Sequence, residues 1–223
     1  DRAMQEKAES VLDSHVSSGI ASLVVLDVKD GGVLAAANSK GAGEYPYATF
    51  GKYAPGSTFK VLTAIALIEN GIANPDTRMD SPVSTTLPGT NTEVSNIESS
   101  TCGDGNPTLT EAFARSCNTT FVLASQQLTN QQLIDVTNRF GFGRESQIPL
   151  TVTPSVFPSD ADAAQLAMSS IGQYTVQTTP LQMAQVAQTV ANGGQMMSPY
   201  LIKQIVDADN QTIRKTKATE AGR

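Results

Sequence analysis

One histidine, His15, serves the whole chain of 223 residues, and that scarcity removes the usual base of serine hydrolases. A Ser-His-Asp triad would have to recruit His15, which lies in a polar segment, residues 4–18, that reads as a solvent-facing helix with no serine or buried carboxylate to pair with. Cysteine is nearly as rare. Cys102 and Cys117, with one distant imidazole, fall short of a zinc site, so no metal is expected. The two thiols are either a disulfide or unrelated and reduced, and the sequence leaves both open. No apolar run approaches about 18 residues, so nothing is expected to span a bilayer, and no signal peptide is visible. Basic clusters are missing from a chain of net charge −6, which argues against nucleic acid and against an anionic membrane surface.

With 39% hydrophobic residues, the chain can bury a sizeable core as one generous domain, or as one domain with two lobes. Residues 22–28 and 33–37 are rich in β-formers and flank Lys29-Asp30-Gly31-Gly32, which predicts a hairpin. Residues 38–53 read as an ordered loop. Pro55-Gly56 breaks the chain before a helix over Ser57 to Asn70, stopped by Gly71. Residues 74–107 are rich in Pro, Gly, Ser, Thr and Asn and read as long loops. Helical pattern returns over 109–115, breaks near Ser116, resumes over 119–128, and recurs over 130–140 and 180–190. Residues 152–158 read as extended, 200–206 as a strand, and 212–223 as a tail polar enough to fray.

The chemistry gathers at Ala54-Pro55-Gly56-Ser57-Thr58-Phe59-Lys60. At helical spacing Ser57 and Lys60 share a face within side-chain reach. A serine hydroxyl is too weak an acid to attack a carbonyl unaided, and a desolvated lysine amine is one of the few groups that can activate it. Ser116 and Asn118 sit where one helical pattern ends and the next begins, so they can project into a cleft as a hydroxyl relay beside an amide; Asn118 can equally be read as a helix cap. Chance alone supplies about 0.7 Ser-x-x-Lys matches in such a chain, so context carries the reading. Ser57 opens a helix after Pro-Gly, where the helix amino terminus favours developing negative charge.

Pro55-Gly56-Ser57-Thr58-Phe59-Lys60, followed by Val61-Leu62-Thr63-Ala64, resembles the first motif of the transpeptidase domain of penicillin-binding proteins, and Ser116-Cys117-Asn118 resembles its Ser-x-Asn motif. Ser170-Ile171-Gly172-Gln173, Thr179-Pro180-Leu181-Gln182-Met183-Ala184 and Ala191-Asn192-Gly193-Gly194 resemble a third block of that family in order and spacing. The likeness runs from about Leu23 to Pro199 and points to the monofunctional, class B type of actinobacteria. It implies an α+β fold of the penicillin-binding protein/serine β-lactamase type, an antiparallel sheet flanked by helices plus an all-helical lobe. Residues 1–223 would then form one transpeptidase domain, its α/β part from 19–56 and 195–223 and its mostly helical part from 57–194. Ser57 would attack the penultimate D-alanine carbonyl of a peptidoglycan stem peptide, Lys60 would take its proton, Ser116 would relay that proton to the leaving amine, and Asn118 would hold Lys60 and the peptide. The resemblance implies a D,D-transpeptidase that β-lactams acylate, with no cofactor and no nucleic-acid partner. It also implies cell-wall synthesis partner proteins, a membrane tether outside this chain, and a place on the extracytoplasmic face of the bacterial plasma membrane.

One departure stands out. The family's Lys-Thr/Ser-Gly motif is not found, since Lys215-Thr216-Lys217 puts a lysine where the glycine should admit substrate. A hairpin alone is also too small a sheet to stand without more strands. The expectation is therefore that this chain stops short of the family's carboxy-terminal strands, and of the half of the oxyanion hole that they donate. The other half is the Ser57 N–H. The loop over 38–53 is shorter than the family's, which points to residues lost there as well. Other readings use the same groups: a β-lactam sensor or non-catalytic penicillin-binding module, a D,D-carboxypeptidase, or a serine β-lactamase, which would need a deacylating base that no Glu-rich loop offers.

Overall fold

In the computed structural model, which describes residues 1–146 and 148–222, the chain begins with α1 (Arg2–His15), β1 (Ser22–Leu26), β2 (Val33–Asn38) and α2 (Tyr47–Phe50). It continues through a 3-10 turn, Gly56–Phe59, into α3 (Lys60–Glu69), then β3 (Ser84–Thr86), β4 (Glu93–Ser95), α4 (Leu109–Ala114), α5 (Asn118–Ser125) and α6 (Asn130–Arg139). Last come α7 (Ala163–Ser170), α8 (Pro180–Ala191), β5 (Met196–Met197), β6 (Gln204–Val206), β7 (Thr212–Lys215) and β8 (Glu220–Gly222). The chain packs as two units, one of residues 1–53, 139–155 and 178–223, the other of residues 54–138 and 156–177. Residues 139–155 and 178–194, expected in the mostly helical part, pack with the hairpin because α8 lies against β1 and α2.

In the first unit β1 and β2 pair antiparallel from Ser22↔Asn38 to Leu26↔Val33, as the turn chemistry predicts. The segment read as solvent-facing is mostly exposed, but one narrow face of it is not: α1 sets Ala8 and Leu12 against Ala35, Ala37, Leu23 and Val25. Spaced four apart, those two residues make a narrow apolar stripe that the surrounding Glu, Asp, Ser and Lys residues hide from a reading of average polarity. His15 is exposed at its end, as expected. The Gln5 side chain closes the outer edge of β2, donating to the Ala36 carbonyl at 3.1 Å and accepting from the Ala36 N–H at 2.8 Å, a side-chain substitute for a further strand. The expected fraying over 212–222 does not occur. There β7 pairs with β6 and β8 with β5, since a polar segment still has a full set of backbone groups to pair.

The second unit is built on α3 to α7. Phe59, Leu62, Ala66, Leu67, Phe121, Val122, Leu133 and Ala167 are all fully enclosed, each large apolar side chain contributing about 1.5–3 kcal/mol by its removal from water. Residues 74–107 are not all loop, because β3 and β4 pair antiparallel within them. The unread helix α7 has its own start signal, a capping box: Asp162 accepts from the Gln165 N–H at 2.9 Å while Gln165 accepts from the Asp162 N–H at 3.0 Å.

Candidate active site

Ser57 opens this site from the 3-10 turn, not from the α-helix expected over 57–70. The turn is tight because Gly56, at φ 56°, donates its N–H to the Gly172 carbonyl at 2.9 Å. Gly172 approaches so closely that a Cβ on it would fall 2.1 Å from the Gly56 carbonyl oxygen. In 3-10 geometry residues three apart eclipse, which aligns Ser57 with Lys60. The hydroxyl side is exposed, while Lys60 is 1% exposed. Being in the first helical turn, the Ser57 N–H belongs to the group of amides without an intrahelical acceptor, as half of an oxyanion hole requires.

All four residues singled out in the sequence converge on one amine. Lys60 Nζ lies 3.1 Å from Ser57 Oγ, 2.8 Å from the Ser116 carbonyl, 3.1 Å from Ser116 Oγ and 2.7 Å from Asn118 Oδ1. The Phe121 ring supplies the apolar side, its centroid 5.5 Å from the nitrogen. Among the described residues no carboxylate pairs with Lys60, and burial pulls its pKa down to about 8. The donor count then fixes the roles. A neutral amine has two N–H groups and one lone pair, and the carbonyl of Ser116 and Oδ1 of Asn118 can only accept. These two nearest groups take both protons, which turns the lone pair toward the Ser57 and Ser116 hydroxyls.

Asn118 does not serve as the cap suggested as its plainer role; it is the first residue of α5, and Cys117 stands at the cap position without a side-chain bond. The cysteines form a disulfide, which decides the alternative left open by the sequence. Two residues that shape the site gave no signal in the sequence. Asn96 lay hidden in a stretch whose composition suggested turns, and Phe121 in the apolar pattern of a helix.

A family model described as the penicillin-binding protein transpeptidase domain matches residues 21–222. The peptidoglycan D,D-transpeptidase PbpA of Mycolicibacterium smegmatis is 44% identical over 167 residues, which cover 74% of this chain and 34% of that protein. PbpA of Mycobacterium tuberculosis is 38% identical over the same shares. Among solved structures, the penicillin G acyl-enzyme complex of penicillin-binding protein A from M. tuberculosis superposes with a TM-score of 0.93 at 28% identity, over 100% of this chain and 58% of that one. The D,D-transpeptidase domain of a peptidoglycan glycosyltransferase from Eggerthella lenta gives 0.85 at 26% identity, over 100% and 60%. The chain thus spans about a third of the length of those curated relatives.

Proposed function

Since the chain belongs to the penicillin-binding protein transpeptidase family, we propose that it carries the acylation site of a peptidoglycan D,D-transpeptidase, with Ser57 as nucleophile and Lys60 as its base. The observation that carries this reading is the buried amine whose two N–H groups have fixed acceptors and whose third direction faces the Ser57 hydroxyl. Lys60 takes the proton from Ser57 Oγ as the oxygen bonds to the penultimate D-alanine carbonyl of a stem peptide. As the C–N bond to the terminal D-alanine breaks, Ser116 passes that proton to the leaving amine. An amine of a neighbouring strand then attacks the acyl-enzyme, giving up a proton as the Ser57 hydroxyl is restored and the cross-link forms. β-Lactams acylate the same oxygen. A disulfide fits an oxidising compartment, which supports a place outside the plasma membrane. No helix among the described residues is long and apolar enough to cross a bilayer; the reading places the membrane tether outside this chain and includes cell-wall synthesis proteins among its partners.

The test is covalent labelling with a fluorescent penicillin, followed by D-alanine release from a peptide ending in D-Ala-D-Ala with an amine acceptor present. Wild type gives a stable band, Ser57→Ala none, and Lys60→Met a rate lower by about 10³-fold, the middle of the range of general-base contributions. Protonated Lys60 cannot accept, so the rate falls as pH drops through about 8 and is carried at neutral pH by the neutral fraction, about one molecule in ten. Absence of a band on wild type at every pH refutes the proposal, and rapid turnover of the label replaces it with a β-lactamase.

A further inference from the structure

Three consecutive residues at the start of α5 are each tied to one short segment, residues 95–102. Cys117 is bonded to Cys102, Asn118 Nδ2 donates to the Ser95 carbonyl at 3.0 Å, and the Thr119 N–H donates to Asn96 Oδ1 at 3.0 Å. Asn96 is the hub. It is 7% exposed, and its amide protons face the carbonyls of Pro82 at 3.0 Å and Ser100 at 3.2 Å and the Ser81 hydroxyl at 3.4 Å. Its Oδ1 also lies 3.2 Å from Thr119 Oγ1, whose one proton is better placed on the Pro82 carbonyl at 2.8 Å. Turning the amide over would set NH₂ against an N–H and oxygen against two carbonyls, so its orientation is fixed by its neighbours.

Beside this hub the backbone of Glu98 and Ser99 is held where side-chain-bearing residues rarely go, at φ 59° and 48°, while Ser116, at φ 57°, is the left-handed residue that ends α4, its N–H on the Phe113 carbonyl and the Cys117 N–H on the Ala112 carbonyl. Such conformations persist when surrounding contacts over-determine them. Cys117, at the cap position, gives α5 no side-chain bond, so Asn96 does what a capping side chain would do, from 23 residues away. The same short stretch presents the Ser116 carbonyl and Asn118 Oδ1 to Lys60.

We propose that Asn96 is a positioning residue for acylation: by holding the Thr119 N–H and the segment over 95–102, it keeps Asn118 and the Ser116 carbonyl aimed at Lys60, and so keeps the base dry and its lone pair on Ser57. The inference rests on the role of Lys60 given above. Lys60 is surrounded by Ser57, Ser116, Asn118 and Phe121, and the charged groups of the elements packed against it, Glu69 of α3, Glu111 of α4 and Arg115 beside α4, lie at the surface. Glu93 of β4, which packs on α5, and Glu98 of the hub segment are exposed as well, so among the described residues no charged group pairs with Lys60 to confuse a pH profile.

The experiment measures the fluorescent-penicillin acylation rate per folded molecule between pH 6 and 10 for wild type, Asn96→Ala and the near-isosteric Asn96→Asp, with Leu133→Ala as a destabilised control. Removing the hub admits water to the amine, so Asn96→Ala moves the midpoint upward by about one pH unit and lowers the rate at pH 7 by about tenfold. Asn96→Asp keeps an acceptor for Thr119 but sets a carboxylate against two carbonyls and nearer the ammonium, so its midpoint also rises. It gives the readout if the alanine variant does not fold. Leu133→Ala, a cavity in α6, lowers Tm and leaves the midpoint in place. Midpoints and rates like those of wild type in the Asn96 variants overturn this proposal alone. A wild type that never labels, or labels equally well as Ser57→Ala, overturns the functional reading and this one with it.

Discussion

From Gly56 to Lys60 the chain passes through one tight turn into α3, and Ser57 meets Lys60 because residues three apart eclipse there. From Ser116 to Thr119 a local turn and distant ties share the arrangement: Ser116 ends α4, its N–H donating to the Phe113 carbonyl at 3.1 Å and the Cys117 N–H to the Ala112 carbonyl at 2.9 Å. Ser116 sits at a positive φ, Cys117 is bonded to Cys102, and Asn118 and Thr119 lean on Ser95 and Asn96, 23 residues earlier. One half of the site is written in adjacent residues, and the other is completed by the tertiary fold. The contrast separates what a short motif supplies, the reactive groups, from what it leaves to the rest of the molecule, their aim. Even the local half has one distant support, the contact of Gly172 with Gly56, and that contact gives the sharpest way to break it.

Among substitutions outside the four reacting side chains, Gly172→Ala is expected to have the largest effect. Gly172 has φ 71°, which disfavours any Cβ, and the new carbon would fall 2.1 Å from the Gly56 carbonyl oxygen, backbone that cannot swing aside as a side chain would. The turn must shift, and with it Ser57. Acylation per folded molecule should fall about a hundredfold or more, in line with the effect of misplacing a reacting group by about 1 Å, and stability by about 1–3 kcal/mol. A rate within threefold of wild type would show that the turn is set by its own residues alone.

Removing the disulfide probes the other half. Cys102→Ser with Cys117→Ser opens a loop whose cysteines are 15 residues apart, for which the loss of stability is about 3 kcal/mol. The ties from Ser95 and Asn96 to Asn118 and Thr119 remain, so acylation per folded molecule should fall by less than about tenfold. Urea unfolding and penicillin labelling of the double variant read the two quantities separately. A fall as deep as that of Gly172→Ala would put the aim of Asn118 in the disulfide and not in the hydrogen-bonded hub.

Much of this was legible in the residues. Turn chemistry at Lys29 to Gly32 predicted the hairpin, and the Ser57-x-x-Lys60 spacing brought forward the two groups proposed as nucleophile and base. The break near Ser116 marked the second motif, and a single histidine in an exposed helix argued against a Ser-His-Asp triad. Three things were not legible, for three physical reasons. The 3-10 turn at Ser57 depends on Gly172, more than a hundred residues away, which no local pattern reports. The strands β3, β4, β7 and β8 are short and polar, and their stability comes from backbone pairing that side-chain periodicity does not reveal. The role of Asn96 depends on its burial, and a buried asparagine looks like a turn residue until the fold encloses it.

Asp162→Ala marks the small end of the comparison, because it loosens the beginning of a helix whose far end supports the turn that carries Ser57. Asp162 caps α7 by accepting from the Gln165 N–H at 2.9 Å, and losing such a cap costs about 1 kcal/mol. The far end is held by other means: Ser170 is fully buried, its carbonyl accepts from the Thr63 hydroxyl at 2.7 Å, and Gly172, two residues on, accepts from the Gly56 N–H at 2.9 Å. Fraying one turn at the amino end should therefore lower the unfolding midpoint while acylation per folded molecule stays within about twofold of wild type. If the rate instead falls with stability, α7 transmits strain along its length to Gly172, and the first motif is less local than its spacing suggests.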